Sequence, residues 1–145
     1  WSVCREAFSA RPRTTARDTA VMRAQYKGHL IVDADAGAYS LDQWKPRDPT
    51  DFSVMIDFYA GEEGNDKADA FTAIICSPKS FLRAQDQKVF SGANYIFMPT
   101  FDYVELERFL TDRCAETEGR TWEAIAVQLT RLGRWEFDYR VGSSN

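Results

Sequence analysis

The chain has 145 residues, of which 44% are hydrophobic and 28% are charged, as expected for one globular domain with a buried core. No apolar run approaches the roughly 20 residues that a membrane-spanning helix requires, and a formal net charge of −4 disfavours contact with nucleic-acid phosphates. With three cysteines and one histidine, neither a disulfide framework nor a zinc site is expected. The composition therefore indicates a cytoplasmic protein without a metal or a cofactor.

The N-terminal segment differs in charge from the rest of the chain. Residues 1–21 contain four arginines and two acidic residues and lack helical or strand periodicity, whereas residues 22–145 contain 14 basic and 20 acidic residues. We interpret residues 1–21 as a disordered leader or a mis-assigned start, with Met22 as the genuine initiator. Residues 22–140 then form a single domain, and residues 141–145 are a frayed tail.

The first half of this domain is predicted to be β structure. Residues 24–33 are typical of a strand, and residues 36–51 contain two prolines that favour an extended loop. In residues 51–60 large apolar side chains occupy alternate positions, which is the pattern of a half-buried strand. The acidic turn at 61–69 and the apolar run at 70–77 complete a predicted antiparallel hairpin with an acidic tip.

The second half contains three predicted helices, each preceded by a capping residue. The predicted caps are Ser77, Asp102 with Thr100 as a competing cap, and Thr121. The helices are expected to end near residue 85, at Gly119 and at Gly133. Both glycines suit a left-handed helix end. An apolar strand is expected at 93–99. Strands followed by paired helices and one late strand indicate an α+β fold, with an antiparallel sheet and two or three helices packed on one face.

The ending GRWEFDYR, residues 133–140, alternates aromatic and charged side chains. One face would carry Trp135, Phe137 and Tyr139, and the other Glu136, Asp138 and Arg140. This segment is a strand that buries its rings, a strand whose charged face meets a partner, or part of an acid–base site. The last interpretation requires Glu136 and Asp138 to titrate abnormally inside a cleft.

Several stretches are similar to a known family, including the Trp44–Pro46 loop, the Ser77–Lys79 strand exit and the ending Leu132–Phe137. Over roughly Met22 to Arg140 the chain resembles the Immunity protein 8 family. These are small cytosolic proteins of bacterial polymorphic toxin and contact-dependent inhibition systems. The resemblance implies a non-enzymatic inhibitor that protects the producing cell by binding the C-terminal domain of a cognate toxin.

An inhibitor of this kind needs a contact surface, and the sequence offers three candidates. They are the acidic segment with Glu62, Glu63, Asp66 and Asp69; the loop residue Trp44; and the pair Glu136 and Asp138. Acidic residues would speed association with a toxin that has a basic cleft, such as a nuclease. The structural alternatives are a solvated hairpin turn for the acidic segment and a ring folded over the core for Trp44.

Two other functions stay open. One is a small hydrolase that uses carboxylates around Asp57, Glu136 and Asp138, and the other is a regulatory protein-binding module without a toxin partner. A deep pocket lined by carboxylates would favour the enzyme, and a smooth acidic surface would favour the inhibitor. We expect a monomer or weak dimer that contacts neither nucleic acid nor membrane.

Overall fold

The computed structural model describes residues 20–138, and its central feature is a six-stranded sheet. The strands are β1 (Met22–Ile31), β2 (Ser53–Glu62), β3 (Asp69–Cys76), β4 (Tyr95–Phe97), β5 (Glu118–Gly119) and β6 (Arg134–Trp135). Their order is β4-β3-β2-β1-β5, and β6 also pairs with β3. The β3–β4 pair is parallel and the other pairs are antiparallel. The predicted hairpin over 51–77 is confirmed as β2 and β3.

The α-helices are α1 (Pro78–Ala84), α2 (Tyr103–Ala115) and α3 (Trp122–Leu129). Each begins at its predicted cap. The side chains of Ser77, Asp102 and Thr121 accept hydrogen bonds from the amides of Ser80, Glu105 and Ala124, at 3.1, 3.3 and 3.1 Å. These bonds satisfy amides that have no partner within a helix. Within residues 20–138, no helix combines the length and apolar character needed to cross a membrane.

The core lies between the sheet and the two helices α2 and α3. Alternate residues of β2 are buried, as predicted, and so are residues spaced three or four apart on the helices. The buried side chains of this layer are Val54, Ile56 and Phe58 from β2, Leu106, Leu110 and Cys114 from α2, and Ile125, Ala126 and Leu129 from α3. The predicted α+β class is therefore confirmed, with two helices packed on one face of the sheet.

The short helix α1 lies on the opposite face. In β4 the side chain of Ile96 is buried in the core, so its neighbours Tyr95 and Phe97 point to the other face. The ring of Phe81 in α1 packs against both, with centroid distances of 5.0 and 5.2 Å. The sheet departs from the predicted antiparallel arrangement at β4 only, because the crossover through α1 brings β4 parallel to β3.

Cys76 and Cys114 are buried free thiols. Burial raises the pKa of the Cys76 thiol and raises that of Cys114 to about 12. Because the thiolate is the reactive form of cysteine, both side chains act as packing groups, as their apolar sequence context predicts.

The predicted strand across Trp135, Phe137 and Tyr139 is shorter than expected. β6 ends at Trp135, which is 5% exposed, and the chain turns at Glu136 and Phe137. The Glu136 carboxylate accepts a hydrogen bond from the Ala70 amide at 2.8 Å. In a longer strand this amide would donate to the backbone carbonyl of Glu136, so the side chain replaces a bond of the ladder. The strand prediction is wrong beyond Trp135, and Tyr139 and Arg140 lie outside the described residues.

Gly133 allows a close approach between β6 and the core. A Cβ atom at Gly133 would lie 2.9 Å from Phe58 Cε1 and 3.1 Å from the carbonyl oxygen of Thr72. Neither Gly133 nor Gly119 has a positive φ, so the prediction of left-handed helix ends is wrong at both. Gly119 instead pairs with Met22 in the β1–β5 ladder.

We expect Gly133→Ala to lower the free energy of unfolding by about 1–3 kcal/mol, because Phe58 and the β3 backbone must move to admit a methyl group. Urea unfolding followed by circular dichroism measures this loss. Gly92→Ala is the matched control, since a Cβ atom at Gly92 meets nothing within 4 Å. A Gly133→Ala protein as stable as the parent would contradict the close approach.

Candidate functional site

Carboxylates from two distant parts of the chain gather at one end of the sheet, which we call the acidic end. It consists of Glu62, Glu63, Asp66, Glu136 and Asp138. The first three belong to the tip of the β2–β3 hairpin. Glu136 joins them through Ala70, whose carbonyl accepts from the Glu136 amide at 3.0 Å and whose amide donates to the Glu136 carboxylate. The fold thus places three residues of the first predicted contact set at the same end of the sheet as the third set.

The charges of the acidic end are available to a partner. Its side chains are exposed, except for the half-buried Glu62. Within residues 20–138, none of its carboxylate oxygens lies within 4.0 Å of a basic side-chain nitrogen, so none forms an ion pair. The tip segment 61–69 holds four acidic residues and only Lys67 as a base. A cationic surface could therefore form ion pairs with these carboxylates without displacing basic side chains of the same chain.

The backbone of the hairpin tip is held in place by β1. The Lys27 ammonium donates to the carbonyl oxygens of Asn65 and Lys67, the latter at 3.0 Å. The Glu63 amide donates to the Arg23 carbonyl at 2.9 Å. Because these bonds involve the main chain of the tip, its acidic side chains stand on a preformed support and are not used in building it.

Asp69, the fourth residue of the predicted acidic segment, has a structural role. It is half-buried, and its Oδ2 accepts hydrogen bonds from the indole N–H groups of Trp122 at 2.7 Å and Trp135 at 2.9 Å. One carboxylate thus links β3, α3 and β6. Sequence reasoning missed this arrangement, although a buried indole N–H generally requires an acceptor. A contact of Asp69 with a partner stays a prediction, and any such contact would have to use Oδ1, because both indole groups donate to Oδ2.

Trp44 lies far from the acidic end. Its ring is half-buried and packs edge-on against Phe52 and Phe101, with centroid distances of 6.1 and 5.0 Å. Phe52 immediately precedes β2, whereas Glu62 ends it, and a strand of this length spans about 30 Å. Trp44 therefore packs over the core, and a role for it in partner binding remains a prediction for a second, separate surface.

The loop that carries Trp44 is attached to the sheet through His29. The Nε2 atom of His29 accepts from the Leu41 amide at 2.8 Å, and Nδ1 lies 3.0 Å from the Tyr26 hydroxyl. A nitrogen that accepts from an amide carries no proton, so the ring is neutral with its proton on Nδ1. Burial lowers the pKa of His29, and the charges of Asp42 and Glu107 partly oppose this effect. Protonation would break the bond to Leu41.

We expect the stability of the fold to fall as the pH is lowered from about 7.5 to about 5.5, because the unfolded histidine, with a pKa of about 6.5, gains its proton first. The contribution of His29 to the free energy of unfolding is complete above the pKa of the unfolded histidine. It is lost as the pH falls through the lowered pKa of the folded state. Urea unfolding at a series of pH values measures the slope. His29→Gln should flatten it, since the chain has one histidine; an unchanged slope in that variant would exclude His29 as the cause.

Within residues 20–138, no hydrogen bond links Asp57 to Glu136 or Asp138, the other carboxylates of the hydrolase alternative. Asp57 lies in the middle of β2, where its Oδ1 accepts from the Thr72 hydroxyl at 2.6 Å. Glu136 and Asp138 instead follow β6 at the acidic end. The cleft beside the hairpin tip, which Glu62, Asp69 and Trp122 help to line, has a volume of about 170 Å³, below the roughly 300–1,000 Å³ of typical small-molecule sites.

Comparison with known proteins agrees with the earlier resemblance. The family model described as Immunity protein 8 matches residues 31–139. The chain belongs to the Immunity protein 8 family. The matched region of this Immunity protein 8 member runs from the end of β1 to beyond β6 and includes the whole acidic end and Trp44. Searches of curated proteins and of solved structures gave no match.

Proposed function

We propose that this chain neutralises a cognate toxin domain by binding it directly through the acidic end. Membership of the Immunity protein 8 family, over residues 31–139, is the observation that carries the proposal. The surface that supports it is the acidic end, where Glu62, Glu63 and Asp66 lie at the same end of the sheet as Glu136. Binding takes place in the cytoplasm of the producing cell, and the inhibitor itself performs no chemistry.

Electrostatics favours a cationic toxin surface, such as the substrate cleft of a nuclease. Residues 20–138 contain 13 lysines and arginines and 20 acidic residues, a net charge of −7. A protein with this field attracts a basic partner over distances of about a Debye length, roughly 8 Å at physiological salt. Occupying the cleft that binds phosphates would block the toxin without a conformational change in the inhibitor.

The rigidity of the tip supports direct inhibition. Lys27 and the Arg23 carbonyl hold the tip backbone before any partner arrives, so binding does not have to order this segment. A preformed surface avoids the ordering cost that a flexible loop incurs. The partner then meets charges whose positions are set by β2 and β3.

Co-expression with a cognate toxin domain tests the proposal. We expect the pair to co-purify and the cells to survive, whereas cells that produce the toxin domain alone should die. Survival without a stable complex would overturn direct neutralisation. Turnover of a small molecule by the purified chain alone would instead favour the hydrolase alternative.

A further inference from the structure

Within residues 20–138, strand β4 lies at an edge of the sheet, and Phe97 is the β4 residue whose outward amide and carbonyl both lack a partner. The Asn94 carbonyl accepts from Ile74 at 2.9 Å, and the Met98 amide donates to Cys76 at 3.1 Å. In a parallel ladder alternate residues face the same neighbour, so residues 94, 96 and 98 face β3. Residues 95 and 97 therefore direct their backbone groups outward.

The outward groups of this edge are self-complementary. The Tyr95 amide is already used, since it donates to the Gly92 carbonyl at 3.3 Å. The Phe97 amide and carbonyl have no partner within residues 20–138. One free donor and one free acceptor on the same residue match an identical pair across a two-fold axis, as in a hydrogen-bonded antiparallel pair.

A long added strand fits this edge poorly. Pro99 has no amide proton, and the Tyr95 amide is occupied, so an extended peptide from a different protein could form few ladder bonds. Two Phe97 residues related by a two-fold axis would form two hydrogen bonds, one from the amide of each to the carbonyl of the other. The polar groups thus favour a short symmetric contact over strand addition by a toxin.

The surroundings of Phe97 are apolar. Five of the ten exposed large hydrophobic residues lie between positions 82 and 104, namely Leu82, Val89, Phe90, Phe97 and Val104. On one side of β4 the Phe81 ring contacts Phe90 at a centroid distance of 4.6 Å. On the other side is a mainly apolar cleft of about 360 Å³, lined in part by Ile96, Leu106 and Phe109. An apolar concentration of this kind on a protein surface marks an interaction site.

The charge near this edge permits a second copy to approach. Residues 78–112 carry four basic and five acidic side chains, and Glu105 pairs with Arg108 at 2.9 Å. The surface is therefore nearly neutral in a molecule whose described part has a net charge of −7. A cationic toxin would gain little here, whereas two identical acidic proteins can meet here with little repulsion.

We infer that this chain forms a two-fold dimer through the β4 edges, with the two Phe97 residues paired at the axis. β4 pairs with the Ile74–Cys76 end of β3, and the acidic end lies at the other end of that strand, about 20 Å away. The dimer therefore leaves both acidic ends exposed. The inference concerns a different surface from the proposed function and does not depend on it.

Sedimentation velocity on the full chain without a toxin tests the inference. We expect the mass to rise from monomer to dimer as the concentration approaches about 1 mM, with little dependence on salt because the contact is apolar. Phe97→Glu and Val89→Glu should each shift the protein to monomer. Val89 is 86% exposed, so its replacement keeps the test valid if Phe97→Glu fails to fold. Val127→Glu is the control, because Val127 and Phe97 are both 44% exposed.

Three results would overturn the inference. A monomer over the whole concentration range would exclude the dimer. A dimer that persists in both the Phe97→Glu and Val89→Glu proteins would place the contact elsewhere. Loss of toxin binding in the folded Val89→Glu protein would assign this edge to the toxin, while failure of the proposed function would show only in the toxin experiments.

Discussion

Trp135→Ala is expected to lower the free energy of unfolding by about 3–5 kcal/mol. The Trp135 side chain is 5% exposed, and its Nε1 donates to Asp69 at 2.9 Å. The backbone of Trp135 pairs with Phe71 in the β3–β6 ladder. Removal of the ring leaves a cavity between sheet and helices and takes one of the two indole donors from the Asp69 carboxylate. Urea unfolding followed by circular dichroism measures the loss.

Trp135→Phe separates packing from hydrogen bonding. Phenylalanine keeps a large ring but has no N–H group, so we expect a smaller loss of about 1–2 kcal/mol. A stable, fully folded Trp135→Ala protein that cannot bind the toxin would contradict the structural role and make this ring a contact residue.

Charge reversal at the acidic end is expected to slow toxin association by about 10–100-fold at low salt. The variant is Glu62→Lys, Glu63→Lys and Asp66→Lys combined, which leaves the main-chain bonds of the tip intact. Electrostatic steering acts on the encounter rate, so the dissociation rate should change less than the association rate. Stopped-flow or surface-based kinetics at several salt concentrations measures both, and the difference from the parent should shrink as salt rises.

The control must have the same net charge. Asp35, Asp86 and Asp112 are exposed and lie outside the acidic end, so their combined replacement by lysine changes the total charge equally. We expect a much smaller effect on association from this control. If both variants slow association equally, overall charge rather than the acidic end steers the toxin. Unchanged kinetics in the first variant would remove the hairpin tip from the interface.

Local patterns were enough to predict much of the fold. The alternation in β2 and the three caps depend on residues a few positions apart, and the structure confirms them. The crossover through α1 depends instead on how Phe81 packs against Tyr95 and Phe97, which no short pattern encodes. The early end of β6 depends on Glu136 reaching Ala70, which lies 66 residues earlier in the chain.

The candidate site was predictable in composition but not in arrangement. The acidic residues of the hairpin tip are evident in the sequence, because a turn between alternating strands exposes them. Their proximity to Glu136 could not be predicted, since it requires the pairing of β3 with β6. The inward use of Asp69 could not be predicted either, because its two indole donors lie 53 and 66 residues further along the chain.

The hydrogen bonds from Lys27 to the hairpin tip affect how the sequences of such proteins can diverge. Lys27 binds the carbonyl oxygens of Asn65 and Lys67, groups that every amino acid possesses. Mutations that exchange the side chains at positions 62, 63 and 66 therefore leave these hydrogen bonds intact. Under the proposed function, selection can alter which toxin binds the acidic end while the framework beneath it stays the same, so specificity and folding can evolve at separate positions.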